Sequence, residues 1–284
     1  MSAVRVEERP DRVAVLTLDQ PNSRANILSA GLWAELEAAL TPLTGRTDLA
    51  GLVVASAKPG IFIAGADLKL FQTLSGPNDP ACGELVDQGL RVLVRLEALP
   101  FPTCAAIDGA ALGGGLEVAL ACDFRVVGTN PKVELGLPET KLGLIPGWGG
   151  TQRLPRAVGL ELATDLLRTG RSLDGPAAVA ASLALVQVPS DQLLDHAAGV
   201  LLSLPDVIAH RKLKGEPLPA WDRGGSRVEE SDTVAQTEAV NSAVLGAALS
   251  LADGLAVERA AFLRVAGSDE AKRRIDEFFA SRRR

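Results

Sequence analysis

Two glutamates in apolar, glycine-rich settings are the residues of this sequence best suited to chemistry. Glu117 lies in "DGAALGGGLEVALACD", residues 108–123, just after the triplet Gly113–Gly115. Glu139 follows Pro138 in "VELGLPETKLGLIPGWGGTQRLPR", residues 133–156, ahead of Gly147, Gly149 and Gly150. A plain account exists for each. Glu117 in a helical first turn would compensate the dipole from solvent, and Glu139 would be an ordinary loop residue. The apolar flanks Leu116 and "VALAC" argue instead for an inside location, where a carboxylate is rare unless paired or functional. Two carboxylates over one pocket could share a water and divide acid and base roles, because burial and proximity push their pKa values apart.

Chemistry of this kind also needs donors for a developing negative charge. Consecutive glycines at a turn that opens a helix expose free N–H groups where the helix dipole is positive. In "FIAGADLKLF", residues 62–71, the small residues Ala64, Gly65 and Ala66 let another group approach the backbone. Both stretches can be tight packing turns, the second leading into a helix capped by Asp67. Both can also present backbone N–H groups to a ligand oxygen. Removing one such donor from an oxyanion site typically costs roughly 3 kcal/mol.

The elements that must hold these residues are legible as an α/β pattern. "VRVEER" and "RVAVLTL" alternate with period two around "RPDR" and predict paired strands. "SAGLWAELEAALTPL" has helical spacing with Ser29 as N-cap. "LAGLVVAS" is a continuous apolar run, as a strand covered on both faces requires. A helix is expected over roughly 84–98, then a buried strand in "TCAAIDG", a turn at the glycine triplet and a helix in "LEVALAC". "DFRVVG" reads as a strand, 129–150 as a loop, about 151–182 and 190–204 as helical, with "LALVQV" a strand between. The Pro-, Gly- and charge-rich stretch about 211–231 reads as a linker, and about 234–281 is helical by pattern. Repeated β-then-α units define an α/β core over 1–205 and a C-terminal helical region over 206–284.

Composition narrows the classes. The 284 residues are 47% hydrophobic and 23% charged, enough for a sizeable core without staples. A net charge of −6 argues against broad nucleic-acid binding, which needs a basic face. Cys82, Cys104 and Cys122 are odd in number and widely spaced, so neither a disulfide framework nor a metal site is indicated. The start has no leader pattern and no apolar run reaches about 18 residues, so a cytoplasmic chain away from membranes is expected. P-loop, GxSxG and GxGxxG patterns are absent. His196 and His210 are the only histidines and read as exposed helix residues, which leaves carboxylates as the acid–base groups.

Three ordered segments, "FIAGADLKLF", "DGAALGGGLEVALACDFRV" and "LGLPETKLGLIPGWGGTQRLPRAVG", resemble the crotonase (enoyl-CoA hydratase/isomerase) superfamily over about residues 5–190. "VVASAKPGIFIAGADL" and the stretch 131–156 are most similar to the hydratase portion of multifunctional fatty-acid oxidation α subunits. The resemblance implies a spiral of repeated ββα units with C-terminal helices, assembled as a homotrimer or a dimer of trimers. It places the oxyanion hole on the N–H groups of Ala66 and Gly114, the catalytic carboxylates at Glu117 and Glu139, and Gly147 near the water. Arg24, Ala25, Ala64, Ala66 and Leu68 match segments that hold coenzyme A. Lys58 and Lys69 are phosphate candidates or plain surface lysines.

The implied activity is hydration of trans-2-enoyl-CoA, with an acyl-CoA thioester as substrate and no metal or separate cofactor. A dehydrogenase half is not expected, and Trp148 is expected to shape the acyl pocket. The alternatives are a Δ3-to-Δ2 isomerase or another acyl-CoA reaction of the superfamily, since one fold hosts several chemistries. A non-catalytic acyl-CoA-binding protein is the alternative of another class.

Overall fold

The computed structural model describes residues 2–203, 207–219 and 228–282. Its element order repeats a two-strand, one-helix unit. The first repeat is β1 (Val4–Glu8), β2 (Val13–Leu18) and α1 (Ala30–Leu40). The second is β3 (Gly51–Ser56), β4 (Gly60–Ile63), the short α2 (Lys69–Thr73) and α3 (Pro80–Glu97). The third is β5 (Thr103–Ile107), β6 (Gly109–Leu112) and α4 (Gly114–Ala121). The fourth is β7 (Phe124–Gly128) and β8 (Glu134–Gly136), followed by α5 (Gly150–Val158) and α6 (Leu160–Thr169). Then come β9 (Ser172–Leu173), α7 (Gly175–Ala180), β10 (Val186–Val188), α8 (Leu193–Ser203) and α9 (Val207–Gly215). Three helices close the chain: α10 (Val234–Ala247), α11 (Leu251–Val265) and α12 (Asp269–Ser281).

From the second repeat on, the two strands of a repeat go to different sheets. One sheet has the order β1-β2-β3-β5-β7-β10 and the other β4-β6-β8-β9. Only the β1–β2 hairpin of the first sheet is antiparallel; β2–β3, β3–β5, β5–β7 and β7–β10 run parallel. This alternation is the ββα winding that the family resemblance implied.

Parallel strands must be covered on both faces, and the first sheet is. On one side Val53, Cys104, Ala106 and Val126 pack with Leu193, Ala197, Ala198 and Leu201 of α8. On the other, Leu16 and Val54 face Trp33, Leu36, Leu93 and Val118 from α1, α3 and α4. α1 starts at Ser29, whose hydroxyl accepts from Leu32 N–H, as its spacing predicted.

Contacts gather the chain into two compact units. One comprises Met1–Ala66, Gly89–Leu135 and Leu173–Leu213, and carries most of the strands. The other comprises Asp67–Gln88, Gly136–Ser172 and Lys214–Arg284, and is helical, with α10 packed against α5, α6 and α11.

Several local expectations are corrected. "GAAL" after β5 is a separate strand, β6, and the expected loop 129–150 contains β8 and a 3-10 turn at Glu139–Leu142. The helix expected from residue 84 begins at Pro80. Asp67 is not the N-cap of α2; that position is Leu68, and Asp67 Oδ1 accepts from Lys69 N–H at 3.1 Å. The expected linker begins inside a helix, since α9 runs to Gly215. Residues 220–227 of that stretch lie outside the described residues.

His210 is not an exposed helix residue. It is half-buried, stacks on Phe124 with ring centroids 4.9 Å apart, and its Nε2 lies 3.2 Å from the Asp123 carbonyl. The three cysteines are free and buried.

Candidate functional site

The first unit assembles the donor side. β4 and β6 are parallel neighbours, with Ile63 opposite Ala111, so the segments leaving their C-terminal ends emerge side by side. After β4 the chain forms the loop 64–66. After β6 it turns at Gly113 and enters α4. Gly113 has φ 54°, which a residue with a Cβ adopts only under strain. Gly115 is needed for another reason: a Cβ there would stand 2.3 Å from the Ile63 carbonyl oxygen, so only glycine lets α4 seat on the end of β4. Two of the three glycines are therefore explained by geometry.

The remaining one, Gly114, is buried as the first residue of α4. Among the described residues neither its N–H nor that of Ala66 has a hydrogen-bond partner. One turn into α4, Glu117 is 1% exposed. The inside location argued from its flanks holds.

A third strand-like segment frames the loop. Ala64 N–H donates to the Asn26 carbonyl at 2.9 Å, Leu28 N–H donates to the Gly65 carbonyl at 2.9 Å, and Leu28 bridges to Ala66. Arg24 and Ala25, at the start of this segment, are thereby brought to the same edge as Ala64 and Ala66. Arg24 and Ala64 are exposed and Ala25 and Ala66 half-buried.

Asn26, which sequence reasoning missed, fixes this edge. It is fully buried, and its amide nitrogen donates to the Ser56 hydroxyl at 2.9 Å and the Phe62 carbonyl at 3.0 Å. Its amide oxygen accepts from Gln20 N–H at 3.0 Å. A buried asparagine has no periodicity signal of its own; its only mark was a turn-type residue beside the apolar Ile27-Leu28 pair. Lys58 pairs with Asp19 at 2.8 Å, whereas Lys69 is exposed.

The second unit holds Leu68, Glu139, Gly147 and Trp148. Leu68 is half-buried at the start of α2. Glu139 opens the 3-10 turn that Pro138 introduces, and Gly143, in the left-handed region with φ 70°, ends it. Part of Glu139 reaches the surface, yet its Oε2 is buried and without a hydrogen-bond partner among the described residues. Burial pushes its carboxyl well above the usual carboxylate range; its own backbone N–H opposes the shift and the charge of Glu258 adds to it.

Trp148 is buried at 5% exposure. Glu258 was not singled out from sequence and is fully buried. Its signal was position: it stands four residues after Gly254 and four before Phe262, on the buried stripe of α11.

Alternating two-sheet ββα winding followed by C-terminal helices is the crotonase fold. The chain belongs to the enoyl-CoA hydratase/isomerase family, whose model matches residues 8–213. A curated relative, the fatty acid oxidation complex subunit alpha of Shewanella halifaxensis, is 36% identical over 96% of this chain. The chain spans only 40% of that relative's length.

Among solved structures, an enoyl-CoA hydratase from Bacillus anthracis is 29% identical, with 99% of this chain and 96% of that one covered and a TM-score of 0.65. Pseudomonas aeruginosa DspI is also 29% identical, over 75% of this chain and 85% of its own, with a TM-score of 0.66. An enoyl-CoA hydratase from Mycobacterium avium subsp. paratuberculosis, 23% identical, shares the fold over 99% of this chain and 97% of its own, at TM-score 0.72. Among the described residues no helix is long and apolar enough to cross a membrane.

Proposed function

We propose that this chain is an enoyl-CoA hydratase that adds water across the double bond of trans-2-enoyl-CoA to give 3-hydroxyacyl-CoA. As water attacks Cβ, negative charge builds on the thioester oxygen. The unpartnered N–H groups of Ala66 and Gly114 are the donors for that oxygen, preorganised by the β4–β6 register and so needing no rearrangement during reaction. Glu117 orients and deprotonates the water, and Glu139 gives a proton to Cα. Gly147 lies near the water.

The segments 24–28 and 64–66, with Leu68, hold the coenzyme A portion, which arrives as part of the substrate. The reading uses no metal and no separate cofactor. A homotrimer or dimer of trimers is the assembly proposed with it.

The observation that carries this reading is Glu117: a carboxylate 1% exposed, one turn beyond an unpartnered backbone donor. Its test is loss of the enoyl absorbance of crotonyl-CoA and of longer trans-2-enoyl-CoA thioesters, with wild-type chain and Glu117→Gln. Hydration by the wild type and a fall of at least about 100-fold in kcat for the variant are expected. Wild-type consumption of a 3-enoyl-CoA without hydration of any 2-enoyl-CoA would make it an isomerase. Tight binding with no turnover would make it a binding protein.

A further inference from the structure

Glu258 is a third buried carboxylate, and it faces the loop that follows Glu139. Its Oε1 accepts from Gly149 N–H at 2.5 Å; its Oε2 accepts from Thr151 N–H at 2.7 Å and from the Thr151 hydroxyl at 2.6 Å. One turn further along α11, the Phe262 ring occupies the space where a side chain on Gly147 would stand. α11 therefore grips 147–151 at both ends.

Arg153 of α5 favours the charge on Glu258, and the charge of Glu258 in turn raises the carboxyl of Glu139. The two carboxyls are unequally supplied with donors. Glu258 accepts from the Gly149 N–H, the Thr151 N–H and the Thr151 hydroxyl, which favour the ionised form, whereas Glu139 Oε2 has no donor among the described residues. When two close carboxyls share a charge between them, the proton settles on the one with fewer donors.

We propose that Glu258 is a positioning residue for Glu139: anchored on Gly149 and Thr151, it is the member of the pair that ionises first, which leaves the remaining proton on Glu139. The inference rests on the hydratase reading for its purpose, since a group that must protonate Cα has to carry a proton near neutral pH. Its physical content is separate from turnover. Burial raises both carboxyls, and in Glu258 the Thr151 and Gly149 donors counteract that rise, consistent with this division.

The experiment is carbon-13 NMR titration of the glutamate-labelled full chain, with Glu139→Gln identifying the Glu139 signal. In the wild type the Glu139 signal should titrate above the usual carboxylate range and in two steps, because Glu258 ionises in the same region. In Glu258→Gln the curve should become a single step with its midpoint lower by about one pH unit, a tenfold loss of proton affinity. The basic limb of kcat should move the same way, with KM changed less than about threefold.

A single ordinary carboxylate step for Glu139 in the wild type overturns the proposal even if Glu258→Gln fails to fold. So does a midpoint unmoved in a folded Glu258→Gln. If the titrations follow expectation but the wild type hydrates no enoyl-CoA, the carboxyl pairing stands and the hydratase reading falls.

Discussion

Arg211 grips Asp123 with two nitrogens, Nε to Oδ1 at 2.7 Å and Nη2 to Oδ2 at 2.6 Å. The same guanidinium donates to the carbonyls of Leu99 and Phe101, at 2.5 and 2.9 Å. Asp123, 2% exposed, also accepts from Thr103 N–H at 2.8 Å and from the Thr103 hydroxyl at 2.9 Å. The helix in which the expected linker begins is thus tied to the residue just after α4 and to the start of β5. The planar fork of arginine matches this set of acceptors in a way lysine cannot.

Arg211→Ala should accordingly destabilise the chain by about 3 kcal/mol, because it leaves a buried carboxylate short of its cation and two carbonyls short of donors. Chemical denaturation at neutral pH measures this. A change below about 0.5 kcal/mol would mean that the pair is solvated and α9 only loosely attached. Arg211→Lys should recover less than half of the loss.

Asn26→Ala should uncouple stability from ligand affinity in a recognisable way. The unfolding free energy should fall by about 2 kcal/mol, since the Phe62 carbonyl and the Gln20 N–H lose buried partners. Coenzyme A binding, followed by calorimetry, should weaken by at least about tenfold, because the 24–28 segment is then no longer held against 64–66. Equal affinity in wild type and a folded variant would show that this edge does not contact coenzyme A.

A pH dependence of stability follows from Glu139 and Glu258, both raised above the ordinary carboxylate range chiefly by burial. Over the interval between the ordinary and the raised values the native chain binds more protons than the unfolded one. Stability contributed by their neutral forms is complete below the unfolded pKa and is lost as pH rises through the native values. Between about pH 5 and about pH 8 the wild type should lose stability relative to Glu139→Gln/Glu258→Gln, with a limiting slope of about 1.4 kcal/mol per pH unit per proton. Denaturant midpoints at several pH values test the sign; parallel pH curves for the two proteins would refute it.

The sequence made the turn into α4 legible because glycine is informative. Three in a row ahead of an apolar helix have few structural explanations, and Gly113 and Gly115 answer two of them. It made Glu117 legible because the flanking residues are uniformly apolar. β6 was missed because four residues starting with glycine carry too little alternation to register. Asn26 and Glu258 were missed for a shared reason: their roles depend on partners distant in sequence, Ser56 and Phe62 for the one, Gly149 and Thr151 for the other. His210 escaped because stacking on Phe124 is likewise a long-range event. Local pattern reports which residues face inward; it does not report what they meet there.

The two donors at Ala66 and Gly114 belong to the main chain, so exchanging a side chain at either position does not remove an N–H unless proline is introduced. They can be displaced only by shifting β4 against β6 or by unseating α4. Mutation therefore acts on the two parts of the site by different routes. The carboxylates can be gained, lost or exchanged one codon at a time, while the two N–H groups stay in place as long as the strands keep register. On the proposed function, a lineage with this architecture can change its reaction without rebuilding its pair of main-chain donors, and a chain that loses a glutamate retains the scaffold that presents them.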